Sequence, residues 1–225
     1  RPEQESALIS KGFTDLPQLK NESITSEEVE YLISSKDKIY TSGTDFHKKY
    51  IDKNDIYTKL KKDLKEVAKK YYKKNSDFED TYEITRITKG SQASEAYLGH
   101  FDSHLFTLVT PVVIPKTNSG ESGQLIVFPK IRSEPRNELI NILGKIFYKK
   151  YHSKEKFTEL MKTKHYEEFD FKDETPMLFL GRVTLHGNRG FKEDMSTHRI
   201  TLLTHFFDPS PKYGIGNILR KLRSR

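Results

Sequence analysis

Between Gly99 and His104 the chain reads "GHFDSH", two imidazoles and a carboxylate directly ahead of the apolar run "LFTLVTPVVIP". His100 and Asp102 are two residues apart, so in an extended segment both side chains point to the same side. A histidine and a carboxylate on one face can take a divalent metal from that side, and the metal then needs a third ligand from elsewhere. His186 in "RVTLHGNRG" is the best candidate, at the end of an apolar run and ahead of a glycine turn. Two histidines and one carboxylate occupy one face of an octahedron and leave three positions open, an arrangement suited to non-haem Fe(II). Thirteen residues on, Arg199 and Thr201 in "HRITLLTHF" share a strand face. A guanidinium on an apolar wall beside a metal needs an anion. Its fork suits a carboxylate, and a threonine hydroxyl can share it. These residue types together specify a metal site with open positions and a clamp for a dicarboxylic acid.

The elements that must position these groups fall into three textures. To about residue 80 the chain is polar and reads helical. "TSEEVEYLISS" opens with Thr25 and Glu28 at capping-box spacing. In "NDIYTKLKKDLKEVAKKYYKKN", Ile56, Leu60, Leu64, Val67, Ala68 and Tyr71 make one helical stripe, with lysines on the other face. From about Thr81 to Lys130 the pattern is that of strands: "TYEITRIT", then "LFTLVTPVVIP", the turn cluster "TNSGESG" and "QLIVFP". From Arg132 to Thr175 it turns helical again, with Leu139, Ile142, Leu143, Ile146 and Phe147 at helical spacing and a charged helix around Lys154 to Lys164. Strands return in "PMLFLGRVTLHG" and "THRITLLTHFFD", and the chain runs out in a basic tail, "ILRKLRSR". Strands and helices do not alternate one for one, so the pattern specifies a mostly β fold, a sandwich or barrel with flanking helices, rather than a parallel α/β sheet.

Composition narrows the chemistry. The 225 residues are enough for one domain with a sizeable core. There is no cysteine, which excludes disulfides, thiolate metal sites and cysteine nucleophiles. No apolar run approaches the roughly 20 residues of a membrane span, and a cytoplasmic location is the default expectation. The net charge of +7 suits a polyanion, a membrane surface or a small anionic substrate.

At this point the motifs resemble a known family. His100-Phe101-Asp102, the distant His186 and Arg199-Ile200-Thr201 resemble the pattern of the Fe(II)/2-oxoglutarate-dependent oxygenase superfamily, in a prolyl-hydroxylase-like arrangement. "YEITRITKG" resembles the strand that precedes its first motif, and "SGQLIVFP" the turn and strand that follow. Thr201 stands where many relatives have serine, and the two histidines are 86 positions apart with helices in the gap. The resemblance implies a double-stranded β-helix (jelly-roll, cupin-like) core. It also implies Fe(II) on His100, Asp102 and His186, 2-oxoglutarate with its far carboxylate on Arg199 and Thr201, and O2 as second cosubstrate. On that reading the chain is one oxygenase domain over 1–225. Residues 1–80 are helical support, 81–210 are the core with a helical insertion at about 133–175, and 211–225 are a basic tail.

For the primary substrate the sequence offers candidates rather than a set. Arg182 has the parity of His186, which predicts an inward guanidinium in need of an anion, supplied by a structural acid or by substrate. Arg86 in "EITRI" is a second candidate, of unresolved parity, and His104 shares parity with His100 and Asp102. His205 is expected to be a hydrogen-bonded core histidine. A small, anionic metabolite or amino acid is the leading substrate class. The rivals are the same chemistry on nucleic acid or protein, drawn by the lysines, and a basic β-sandwich binding module without catalysis.

Overall fold

Thr25 and Glu28 close the capping box that their spacing predicts. The Glu28 amide donates to Thr25 Oγ1 at 3.2 Å and the Thr25 amide to Glu28 Oε2 at 3.1 Å, which starts helix α2 (Ser26–Ser34). The computed structural model describes residues 2–19, 25–34, 40–42, 55–72, 81–89, 96–116, 121–171, 173–190 and 197–209. Helix α1 (Pro2–Lys11) precedes α2, and the lysine-faced stripe forms α3 (Asp55–Tyr72). The insertion carries α4 (Glu138–Tyr148) and α5 (Lys154–Thr163). The strands are β1 (Phe13–Asp15), β2 (Tyr40–Ser42), β3 (Thr81–Lys89), β4 (Phe106–Val113), β5 (Leu125–Phe128), β6 (Glu167–Phe169), β7 (Met177–Leu180), β8 (Leu185–Asn188) and β9 (His198–Phe206).

These strands form two antiparallel sheets, ordered β1-β7-β4-β9-β3-β2 and β6-β5-β8. The fold is a jelly roll, and register decides which side chains it encloses. In the larger sheet Thr107 pairs with both Phe179 and His205, and Arg86 pairs with Thr201. Paired residues share a face, so Arg86, Thr107, Phe179, Arg199, Thr201 and His205 look inward. In the smaller sheet Val127 pairs with His186 and Leu125 with Asn188, again on the inner face. Val109, Leu125, Val127, Phe171, Met177 and Phe179 fill the space between the sheets.

Each sheet buries its outer face under helices. Phe106, Leu108, Leu178, Leu180 and Phe206 pack against Tyr57, Leu64, Val67 and Ala68 of α3. The Tyr57 hydroxyl bonds Thr110 Oγ1 at 2.9 Å, so Tyr57 is a packing residue. The smaller sheet sets Ile126, Phe128 and Leu185 against Phe157 and Leu160 of α5.

The structure corrects three expectations. The N-terminal 80 residues are more than helical support: β1 pairs with β7 and β2 with β3 at opposite edges of the larger sheet. The insertion is not purely helical either, because β6 extends the smaller sheet beside β5. "PMLFLGRVTLHG" is not one strand. It divides at a turn over 181–183 into β7 and β8, which belong to different sheets. Edge strands of three residues are too short to show a period-2 pattern, which is why the first two features escape it. The basic tail at 211–225 lies outside the described residues.

The insertion also braces the metal-site strands. A Cβ on Gly99 would sit 2.7 Å from Phe157 Cδ2, and one on Gly187 would sit 3.1 Å from Phe157 Cζ. Phe157, fully buried, therefore lies on the backbone beside both His100 and His186. Phe157→Ala is expected to cost about 3–5 kcal/mol of stability, read from urea unfolding. A loss below about 1 kcal/mol would show that α5 does not brace this wall.

Candidate metal centre

His100 and His186 face each other as a single antiparallel bridge. Each amide donates to the other's carbonyl at 3.0 Å. The ring centroids consequently stand 4.3 Å apart although the residues are 86 positions apart in sequence. Asp102 is fixed the same way, its amide donating to the Gly181 carbonyl at 3.0 Å. One ligand atom from each of His100, Asp102 and His186 lies within 4.8 Å of the other two, a spacing that one divalent cation can bridge.

The tautomers are set for ligation. His100 Nδ1 lies 2.8 Å from the Leu98 carbonyl and His186 Nδ1 lies 3.2 Å from that of Thr184. A carbonyl can only accept, so both Nδ1 atoms carry hydrogen and both Nε2 lone pairs remain for a metal. Burial and the neighbouring His186 hold the His100 imidazole down to about 4, and burial lowers His186 as well. Both rings are neutral at pH 7, the form a metal requires. Burial alone would raise the Asp102 carboxyl, but His186, His205, His100 and the Thr107 hydroxyl outweigh it and hold the group well below the usual carboxylate range.

Thr107 is the support that the motif reading missed. Its Oγ1 lies 2.5 Å from Asp102 Oδ2 and 3.0 Å from His205 Nδ1. His205 Nδ1 also lies 3.6 Å from Asp102 Oδ2. A threonine inside the apolar run of β4, with the parity of an inward residue, was the available signal. His205 is a buried, hydrogen-bonded core histidine, as its parity predicts. His104 stacks on Tyr82 at 6.1 Å and tilts toward His205 at 5.3 Å, behind the metal ligands rather than among them.

Arg199 and Thr201 are both buried on the inner face of β9. Arg199 Nη2 is buried without a hydrogen-bond partner, and among the described residues no carboxylate contacts its guanidinium. Burial and the nearby Arg86 push Arg199 down to about 9. The ladder places Arg86 directly opposite Thr201, which resolves its parity inward. Arg86 Nη1 donates to Asn188 Oδ1 across to the smaller sheet. Asn188 shares the face of His186, two residues away, a relation readable in "HGN" but passed over. Two guanidiniums in one water-poor space form a strong demand for an anion.

Arg182 does not enter this space. Its Nε lies 2.7 Å from Glu134 Oε1 and its Nη1 lies 3.3 Å from Glu138 Oε2, with the guanidinium fully buried. Structural acids of the insertion neutralise its charge, although Nη2 is left without a hydrogen-bond partner. The parity argument fails because β8 begins at Leu185, and a turn does not transmit the period-2 alternation of a strand to Arg182.

One side of the centre is open. His100 is exposed at its outer edge and borders a cleft of about 300 Å3 lined by Gly99, Phe101, Lys145, Ile146, Tyr148, Lys149 and His152.

No protein-family model matches the sequence, and no curated protein does. Solved structures do share its fold. A prolyl 4-hydroxylase from Phytophthora capsici superposes with a TM-score of 0.56 at 11% identity, covering 99% of this chain and 70% of that one. A prolyl hydroxylase from Trichoplax adhaerens, in complex with a hypoxia inducible factor peptide fragment, superposes at 0.51 and 12% identity over 99% and 91%. The chain has the fold of these hydroxylases. A Kdo hydroxylase described as a non-heme Fe(II) alphaketoglutarate dependent dioxygenase matches at 0.50 and 12% identity over 92% and 84%. Among the described residues no helix is long and apolar enough to cross a membrane.

Thr107→Val keeps the shape of the side chain and removes both hydrogen bonds. It is expected to weaken Mn(II) or Co(II) binding about 10- to 100-fold, measured by titration of the metal-free protein. Unchanged affinity would show that Thr107 does not orient Asp102.

Proposed function

We propose that the chain is a non-haem Fe(II)- and 2-oxoglutarate-dependent oxygenase. The observation that carries this reading is a convergence. Two histidine Nε2 lone pairs and one carboxylate meet at a site with room for further ligands, and a buried arginine without an anion stands on the same inner wall. Neither half explains the other without a ligand that binds metal at one end and carries a carboxylate at the other.

The donor set fits iron: mixed imidazole and carboxylate, with no thiolate. When bound, iron supplies the activation of O2 coupled to conversion of 2-oxoglutarate to succinate and CO2. His100, Asp102 and His186 would hold the metal and would leave it room for cosubstrate and oxygen. Arg199 and Thr201 orient the dicarboxylate by charge-assisted and hydroxyl hydrogen bonds to its far carboxylate. Arg86 adds positive charge to the same space and, through Asn188, ties the cosubstrate wall to the strand of His186. Val109, Val127, Met177 and Phe179 keep the space dry.

The outcome expected from this chemistry is oxidation of a C–H bond in a primary substrate that enters at the open edge of His100. With Arg182 neutralised by Glu134 and Glu138, the support for a small anionic metabolite or amino acid is the inward Arg86 and the net charge of +7.

His186→Ala is expected to abolish Fe(II)-dependent succinate formation from 2-oxoglutarate. Arg199→Ala is expected to weaken 2-oxoglutarate binding to the Mn(II)-loaded protein by about 1.5–3 kcal/mol, roughly 10- to 150-fold, in calorimetric titrations. Full turnover in the first variant would remove His186 from the site, and unchanged affinity in the second would remove Arg199.

A further inference from the structure

Helix α4 is amphipathic in sequence, but it faces the opposite way from an ordinary surface helix. Leu139, Leu143, Ile146 and Phe147 are 57–66% exposed and Ile140 is 46% exposed. They share one side of the helix, so they form a continuous apolar face directed at solvent. The inward side is largely polar, with Tyr148 packed edge-on to Phe101 at its C-terminal end. Asn141, fully buried, accepts from Arg132 Nη2 at 2.8 Å and donates to Glu138 Oε1 at 2.9 Å. Glu138 also pairs with the buried Arg182, and Lys145 donates to Ser103 Oγ at 2.8 Å. Asn137 caps the N-terminus, accepting from the Ile140 amide at 2.9 Å. Rolling α4 over to bury its apolar stripe would strand this polar clamp, so the outward stripe is a fixed feature of the surface. A contiguous apolar patch of this kind marks an interaction site.

The rim of the patch indicates what covers it. Lys149 and Lys150 are exposed at the C-terminal end of α4. Lys150 lies over the rings of Phe147 and Tyr151 at 4.7 and 5.1 Å, and Lys154 over Tyr97 at 5.4 Å. A second copy would bring like charges together in a chain already at +7. An anionic surface neutralises them. The apolar side chains project from a single helix rather than lining a groove, and aromatic rings with lysines border them. This is the composition of helices that lie in the headgroup layer of a bilayer, where lysine stems stay apolar and ammonium groups meet phosphates.

We propose that α4 docks the protein on an anionic lipid bilayer. Leu139, Ile140, Leu143, Ile146 and Phe147 enter the boundary between headgroups and acyl chains, and Lys149, Lys150 and Lys154 meet lipid phosphates. Ile146, Lys145 and Lys149 also line the cleft at His100, so docking turns that cleft toward the membrane. The docking does not depend on the oxygenase reading and is tested without metal or cosubstrate.

The chain contains no tryptophan, so Phe147→Trp supplies a single tryptophan, excited at wavelengths the tyrosines do not absorb, at an exposed position. Its emission is expected at solvent-exposed wavelengths in buffer. It should shift to the blue with vesicles of phosphatidylcholine mixed with phosphatidylglycerol, and not with phosphatidylcholine alone. Sedimentation of the unsubstituted protein with the same vesicles provides a readout independent of the substitution. Lys149→Glu and Lys150→Glu should each weaken the partitioning at least about fivefold, and Leu143→Ser should weaken it further. Absence of a shift and of co-sedimentation with anionic vesicles overturns the proposal, and a protein partner then becomes the occupant to seek. Blue emission before lipid is added, independent of protein concentration, overturns it in favour of a segment of the chain itself. Blue emission that grows with concentration, with a doubled sedimentation mass, overturns it in favour of a second copy.

Discussion

The site depends on one backbone contact, the reciprocal pair of hydrogen bonds between His100 and His186. Residues joined in this way have no freedom to slide, because a one-residue slip would turn one imidazole to the opposite face of its strand. Everything that makes metal binding plausible follows from it. The rings are brought to 4.3 Å, Asp102 arrives on the same face by its i+2 position, and the carbonyls of Leu98 and Thr184 fix both tautomers. The length of the insertion between the histidines matters little to this contact. Closing a loop costs only about 0.6 kcal/mol for each doubling of its length, and Phe157 returns the insertion to the backbone beside both ligands.

Electrostatics then divide the interior into two regions. Around Asp102, three imidazoles and a hydroxyl outweigh burial and favour the ionised carboxylate, which is a cation site in waiting. Further along β9, Arg199 and Arg86 place positive charge in a space that holds no acid to meet Arg199 among the described residues. Buried charges of each sign that do not pair with each other are costly in a folded chain. A metal at one end and a carboxylate-bearing ligand at the other relieve both costs. The same logic explains why Arg182 is not part of the site: it is equally buried, but Glu134 and Glu138 already neutralise it.

Much of the centre was readable from spacing because strands repeat with a period of two. H-x-D, His186 and R-x-T each lie in or beside a strand, and the ladder preserves their relation. The double-stranded β-helix core implied by the motif resemblance agrees with the jelly roll observed, and the capped α2 and the stripe of α3 follow from local spacing. Three features were not readable, for different physical reasons. Arg182 lies in a turn, where alternation carries no information. The inward direction of Arg86 is fixed by its partner Thr201, and pairing is a non-local property. For α4, periodicity gives an apolar stripe but not its orientation. A buried polar clamp of Arg132, Glu138, Asn141 and Arg182 turned the stripe outward, and that clamp joins residues up to 50 positions apart.

In the proposed site His100, Asp102 and His186 grip one metal while Arg199 holds the far end of a 2-oxoacid bound to it. Addition of Fe(II) and 2-oxoglutarate to the metal-free protein under anaerobic conditions tests both halves in one spectrum. The expected result is a weak visible charge-transfer band that requires both additions and disappears in Asp102→Ala. No band at saturating Fe(II) and 2-oxoglutarate, or one of undiminished intensity in Asp102→Ala, would contradict it.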